Sequence, residues 1–249
     1  MFEEFQYMKI SEKIKKKINE IKPGNTFTYQ QLSLNNDEYI AGTKAIERFI
    51  NKGIIKRVST GIFYIPKKSV FGELKPREEE LIKPYLLNKN GERIAYITGT
   101  SLYNKMGLTT QIPRIIKIAS RDKRIYISNV NIKATPVKSY VDVTDQNYYL
   151  LQLLDALKDF KKIPNLNITS AIIILINIIS GLKREEINKL IKFAIYYPPR
   201  VIAFLGALLE EINVSINLNL LRENLNPLTN YRIGINDKLL STTEKWGIK

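Results

Sequence analysis

The sequence predicts an α+β protein: an N-terminal section of helices closed by a β-hairpin, a small α+β middle, and a mainly helical C-terminal part. Three observations predict it. Isoleucines recur at helical spacing near the N-terminus, short strand-like runs lie between residues 54 and 137, and apolar stretches of helical period fill the last third. The expected domains are residues 1–76, 77–163 and 164–249, the last two optionally forming one domain. The joints fall at Lys67–Pro76 and Lys161–Asn167, both marked by proline and charge.

The first helix is expected over "SEKIKKKINEI", where Ile10, Ile14, Ile18 and Ile21 share a face while Lys13, Lys15, Lys16 and Lys17 fill the others. Pro23 and Gly24 end it. A short second helix opens at "FTYQQL": Thr28 and Gln31 have capping-box spacing, and Phe27 and Leu32 stand where a hydrophobic staple fixes the entry angle. The third helix, "YIAGTKAIERFINK", turns Ala45, Ile46, Phe49 and Ile50 inward. Lys44, Glu47, Arg48 and Asn51 recur on its outward face. Gly53 stops it. Strand "IIKRV", tip "STG" and strand "IFYI" then make a hairpin closed by Pro66.

Helix, short capped helix, helix, hairpin is the order of a winged helix-turn-helix, in which the third helix enters the major groove of DNA. The hairpin then lies along the phosphates, where Lys56 and Arg57 neutralise charge and Ser59 and Thr60 donate hydrogen bonds.

In the middle, "RIAYITGTSLYNKMG" reads as strand, turn and short helix, and "RIIKIAS", "RIYI" and "VNIKATPV" as strands. "QNYYLLQLLDALKDF" reads as a helix with Tyr149, Leu150, Leu153, Leu154 and Leu157 inward and Asp155 and Asp159 on a polar face. Three helices follow, "ITSAIIILINIIS", "REEINKLIKFAIYY" and "PPRVIAFLGALLEEI", the last two separated by Pro198 and Pro199.

Composition narrows the function. With 39 Lys+Arg against 24 Asp+Glu, the chain carries a formal charge of +15, which favours an anionic partner such as nucleic acid. There is no Cys and no His, which excludes thiolate nucleophiles, imidazole bases and the zinc sites built on them. "GTS" (Gly99–Ser101) at a strand-to-helix turn is similar to the phosphate-contacting start of nucleotidyltransferases. Those enzymes need paired carboxylates on the next strand to hold metals, and here that strand carries Lys117 and Ser120 instead. Asp142 and Asp145 come after further strands. No catalysis, cofactor or metal is therefore expected. "MFEEFQYMKI" lacks the apolar run of a secretory signal, and "AIIILINIIS" is too short to span a bilayer, so a cytoplasmic protein without a membrane partner is expected.

Three blocks in order, "INKGIIKRVSTGIFYIP", "YITGTSLYNKMGLTTQIP" and "YYPPRVIAFLGALLEE" followed by "LNPLTNYRIGI", resemble the AbiEi-type antitoxins of bacterial abortive-infection (type IV) toxin–antitoxin systems. The resemblance extends from about Lys9 to Ile235. It implies a winged helix that binds double-stranded operator DNA and represses its own operon, and a C-terminal part that counters a nucleotidyltransferase-like toxin in phage defence. Carried onto this chain, it implies operator contacts at Thr28, Tyr29 and Gln30, at Thr43, Lys44, Arg48 and Asn51, and at Lys56, Arg57, Ser59 and Thr60. The alternative expectation is a stand-alone winged-helix transcriptional regulator with a C-terminal effector or dimerisation domain.

Overall fold

A computed structural model describes residues 2–70, 72–129 and 132–249. The chain is α+β. It divides into two compact units, residues 1–91 with 128–132, and residues 92–127 with 133–249. Among the described residues, no helix is long and apolar enough to cross a membrane.

The first unit begins with α1 (Phe2–Glu20), β1 (Thr26–Thr28), a 3-10 turn (Tyr29–Leu32) and α2 (Tyr39–Asn51). It continues with a hairpin of β2 (Lys56–Ser59) and β3 (Ile62–Tyr64), then a second hairpin of β4 (Lys67–Ser69) and β5 (Gly72–Leu74), and α3 (Glu78–Ile82). The strands β1, β2 and β3 form one antiparallel sheet in the order β1-β3-β2, with Phe27 opposite Phe63 and Arg57 on the other side of Phe63. The isoleucine stripe of α1 (Ile10, Ile14, Ile18) is buried with Ala45, Ile46 and Phe49 of α2 and with Phe27, Leu32, Ile55 and Phe63. Each fully buried side chain of this size contributes roughly 1.5–3 kcal/mol.

Two expectations for this unit are corrected. The second helix is a 3-10 turn of four residues, because Ser33 adopts a left-handed conformation (φ 53°) and donates its N–H back to Gln30 O, closing the helix at once. The Lys67–Pro76 stretch, read as a joint, carries the β4–β5 hairpin; its Phe71 lies outside the described residues.

The second unit holds β6 (Ala95–Thr98), α4 (Thr100–Lys105), β7 (Ile116–Ser120) and β9 (Lys133–Lys138); of β8 (Ile127–Ser128), Ser128 is assigned to the first unit. Its helices are α5 (Tyr148–Asp159), α6 (Ile168–Ser180), α7 (Arg184–Ala194), α8 (Pro199–Glu211) and α9 (Asn219–Glu223). β7 pairs antiparallel with β6 and parallel with β9. The strand expected at "VNIKATPV" starts at Lys133; Val130 and Asn131 lie outside the described residues. One apolar cluster runs from Tyr96 through α5, α6, α7 and α8 to Ile248, so residues expected in the middle and C-terminal sections share a core. Residues 201–209 of α8 are buried on every face, making it the central helix.

Asp155 is a further correction. Rather than lying on a polar face, it is 1 % exposed and accepts hydrogen bonds from Tyr96 Oη (3.0 Å), Thr98 Oγ1 (2.7 Å) and Lys158 Nζ (2.7 Å). The period of α5 placed it correctly, but the strand β6 packs where solvent was expected. Three donors, two hydroxyls and an ammonium, meet the cost of burying it.

Candidate nucleic-acid interface

The outward face of α2 forms as its spacing requires. Lys44, Glu47, Arg48 and Asn51 are all exposed, and Ala45, Ile46 and Phe49 are buried on the opposite side. Gly42 lets α2 approach the preceding loop: a Cβ there would overlap the Leu34 side chain. Gly53 (φ 68°) donates its N–H to Ile50 O at 2.9 Å and ends the helix. The chain then enters β2 directly.

The hairpin has a bulge between Arg57 and Ser59, and Gly61 (φ 76°) turns its tip. Arg57 is exposed and its guanidinium stacks over the Phe63 ring, 5.7 Å from the centroid. Thr60 is exposed at the tip. Tyr29 ties the parts together. Its ring packs on Phe63 (5.1 Å, edge-on) and on Tyr39 at the start of α2 (5.6 Å). Burial, with the neighbouring Tyr39 and Glu47, raises the Tyr29 phenol above its ordinary pKa, while Arg57 opposes the shift. The α2 face and the hairpin meet at this aromatic cluster.

Other predicted residues are spent elsewhere. The Thr43 hydroxyl donates to Ile40 O (2.8 Å) within its own helix. Ser59 Oγ shares a hydrogen bond with Tyr85 Oη at 2.9 Å. Lys56 is paired with Glu73 of β5, and that hydrogen bond raises the ammonium's pKa. Thr28 donates its backbone N–H to Gln31 Oε1 (2.9 Å) as part of the reciprocal capping box that the spacing predicted. Thr28 and Gln30 line a cavity of about 350 Å³ with Lys83, Asn88 and Lys89, whereas Tyr29 turns to the aromatic cluster. The predicted set thus separates into a group around α2 and Arg57, and a pair beside that cavity.

The sequence reading passed over Lys52, exposed at the end of α2, and Lys67 and Lys68, exposed on β4 immediately after the first hairpin. The dilysine was visible, but it was read as linker charge. The Lys56–Glu73 pair leaves no signal in the sequence, since the two lie 17 residues apart.

In the second unit, Gly99 turns between β6 and α4 with φ 71°, and Lys117 packs where its side chain would be, 2.9 Å from an added Cβ. Asp142 and Asp145 are in ion pairs with Arg121 (3.6 Å) and Arg93 (2.7 Å). Among the described residues, no group of three or more Asp or Glu is arranged to hold a metal ion.

Residues 9–190 match the family of unknown function DUF6088, and the chain belongs to that family. The match takes in α1 from Lys9 onward, the sheet and α2 of the first unit, and runs into α7 of the second. No curated protein matches the chain.

Proposed function

We propose that the chain is an antitoxin of the AbiEi type: a cytoplasmic protein whose first unit is a winged helix-turn-helix that binds operator DNA and represses its own operon, and which counteracts a nucleotidyltransferase-like toxin. The observation that carries the DNA-binding part is topological. The order α1, β1, short helical turn, α2, β2, β3, with an antiparallel sheet arranged β1-β3-β2, is that of a winged helix, and its third helical element exposes Lys44, Arg48 and Asn51. In this reading α2 enters the major groove, Arg48 reads a base edge, and Arg57 and Thr60 on the wing contact phosphates. Lys56 reaches a phosphate by exchanging Glu73 for it.

The antitoxin part rests on the ordered blocks that resemble AbiEi proteins, two of which lie in the second unit. The test measures binding of the purified protein to its own upstream DNA and to scrambled DNA. Specific binding that falls by about 1–3 kcal/mol in Arg48→Ala supports the reading. Equal affinity for both DNAs at every salt concentration refutes it. Growth rescue on co-expression with the adjacent toxin gene then tests neutralisation.

A further inference from the structure

The second unit contains a concavity of about 280 Å³ whose polar side chains are all basic: Lys158, Lys161, Lys162, Arg200 and Arg232. Its apolar wall is Leu157, Phe160 and Ile233. Three separated stretches build it: the end of α5 with the 3-10 turn after it, the first turn of α8, and the segment following Tyr231. Phe160 packs edge-on against Phe204 of α8 (5.0 Å), which holds the lysine-bearing turn against that helix. An Arg200 Nη2–H donates to Lys158 O at 3.4 Å, joining the same two elements.

Four of these five charges have no carboxylate partner among the described residues. Lys158 is spent on the buried carboxylate of Asp155. Lys161, Lys162, Arg200 and Arg232 make no ion pair with a carboxylate among the described residues. Elsewhere in the unit Arg93, Arg121, Arg222 and Lys245 each face an Asp or Glu. Lys161, Lys162, Arg200 and Arg232 are exposed around one dent, where four like charges attract an anion and a partly apolar wall strengthens the field on it. The first turn of α8, a helix of 13 residues, adds its positive end to the same place.

We propose that this concavity binds an oligophosphate, at least two linked phosphates, either as inorganic polyphosphate or as the tail of a nucleotide. One phosphate group carries about −1.5 to −2 at neutral pH, so two are needed to meet four cations. The dent converges on one compact ligand, whereas a duplex presents its phosphates as an extended ridge. Phe160 is 2 % exposed and committed to Phe204, so it offers no face for stacking a base. Recognition is therefore of the phosphates, and adenine and guanine nucleotides bind alike. The proposal lies in the other unit from the operator contacts and does not depend on them.

The test is calorimetric titration of the full chain with inorganic pyrophosphate, orthophosphate, ATP and GTP. Pyrophosphate is expected to saturate one site and to bind at least tenfold tighter than orthophosphate. Lys161→Gln/Lys162→Gln and Arg232→Gln are each expected to weaken it at least tenfold with unchanged thermal melting, and Lys161→Arg/Lys162→Arg to retain it. ATP and GTP within threefold of each other are expected; nucleotides tighter than pyrophosphate identify a nucleotide source, and equal affinities identify the inorganic one. Absence of saturation, or binding unaffected by both Gln variants, overturns the proposal. So does duplex binding that both Gln variants lose and pyrophosphate fails to compete, since that assigns the cations to nucleic acid. Failure here with intact operator binding leaves the proposed function standing.

Discussion

At the scale of single residues, Lys56 shows how a partner changes what a basic side chain can do. Its spacing beside the hairpin tip suggested a phosphate contact, but the folded chain supplies Glu73 as a competing anion. Glu73→Gln is accordingly expected to strengthen operator binding and to steepen its salt dependence by about 0.9 in log K against log salt, the increment for one further phosphate neutralised. A fluorescence-anisotropy salt series measures this, and an unchanged slope would remove Lys56 from the interface. Glu210 makes the complementary case for a structural carboxylate. Burial pushes its pKa up, but hydrogen bonds from Lys245 (3.1 Å) and Trp246 Nε1 (2.8 Å), with the Arg222 guanidinium beside them, outweigh that and hold it below the ordinary 4.5. Because the folded state favours the ionised form more than the unfolded chain does, the stabilisation is complete above about pH 4.5 and is lost as pH falls through the lower folded value. Glu210→Gln is expected to cost about 1–3 kcal/mol at neutral pH, a penalty that shrinks in acid. Urea denaturation at neutral pH and near pH 3 compares the two; a pH-independent difference contradicts the assignment.

At the scale of elements, helical period and capping chemistry located most of the structure. α2 runs over Tyr39–Asn51 with its expected inward and outward faces, and α8 begins at Pro199, where the Pro-Pro pair placed it. What the period could not reveal was the neighbour each face meets. The second helical element shortened to a 3-10 turn because Ser33 turns left-handed, a choice open to a serine in sequence and made only in the folded loop. α6, the most apolar stretch, buries Ala171, Ile172, Leu175 and Ile179 but leaves Ile173 54 % exposed, so high hydrophobicity did not mean burial all round. α8 is the element on which the second unit is built. A Cβ on Gly206 would collide with the six-membered ring of Trp246, which is itself 2 % exposed. Gly206→Ala is expected to destabilise by about 1–3 kcal/mol through overpacking, despite the better helix propensity of alanine. Chemical denaturation that shows an equal or more stable variant would mean that the indole can withdraw at little cost.

At the scale of the whole molecule, net charge and its distribution set how binding responds to salt. With Lys44 and Arg57 as the phosphate-facing cations of the operator complex, Arg48 on a base edge and Lys56 offset by Glu73, log K falls with log salt at a slope of about −1.8. A slope near −10 would recruit basic residues outside the first unit and contradict a head-only interface. The sequence by itself determined the α+β class, the stripe of α1, both faces of α2, the hairpin and the overall positive charge, because these follow from local period, turn chemistry and composition. Only the tertiary structure decided which cations are paired and which polar groups are buried: Glu73 on Lys56, three donors on Asp155, and four unpaired cations around one dent in the second unit. The physical reason is range. Local propensities act over a few residues, whereas electrostatic pairing and desolvation depend on groups 17 to 74 positions apart in the chain, which come together only on folding.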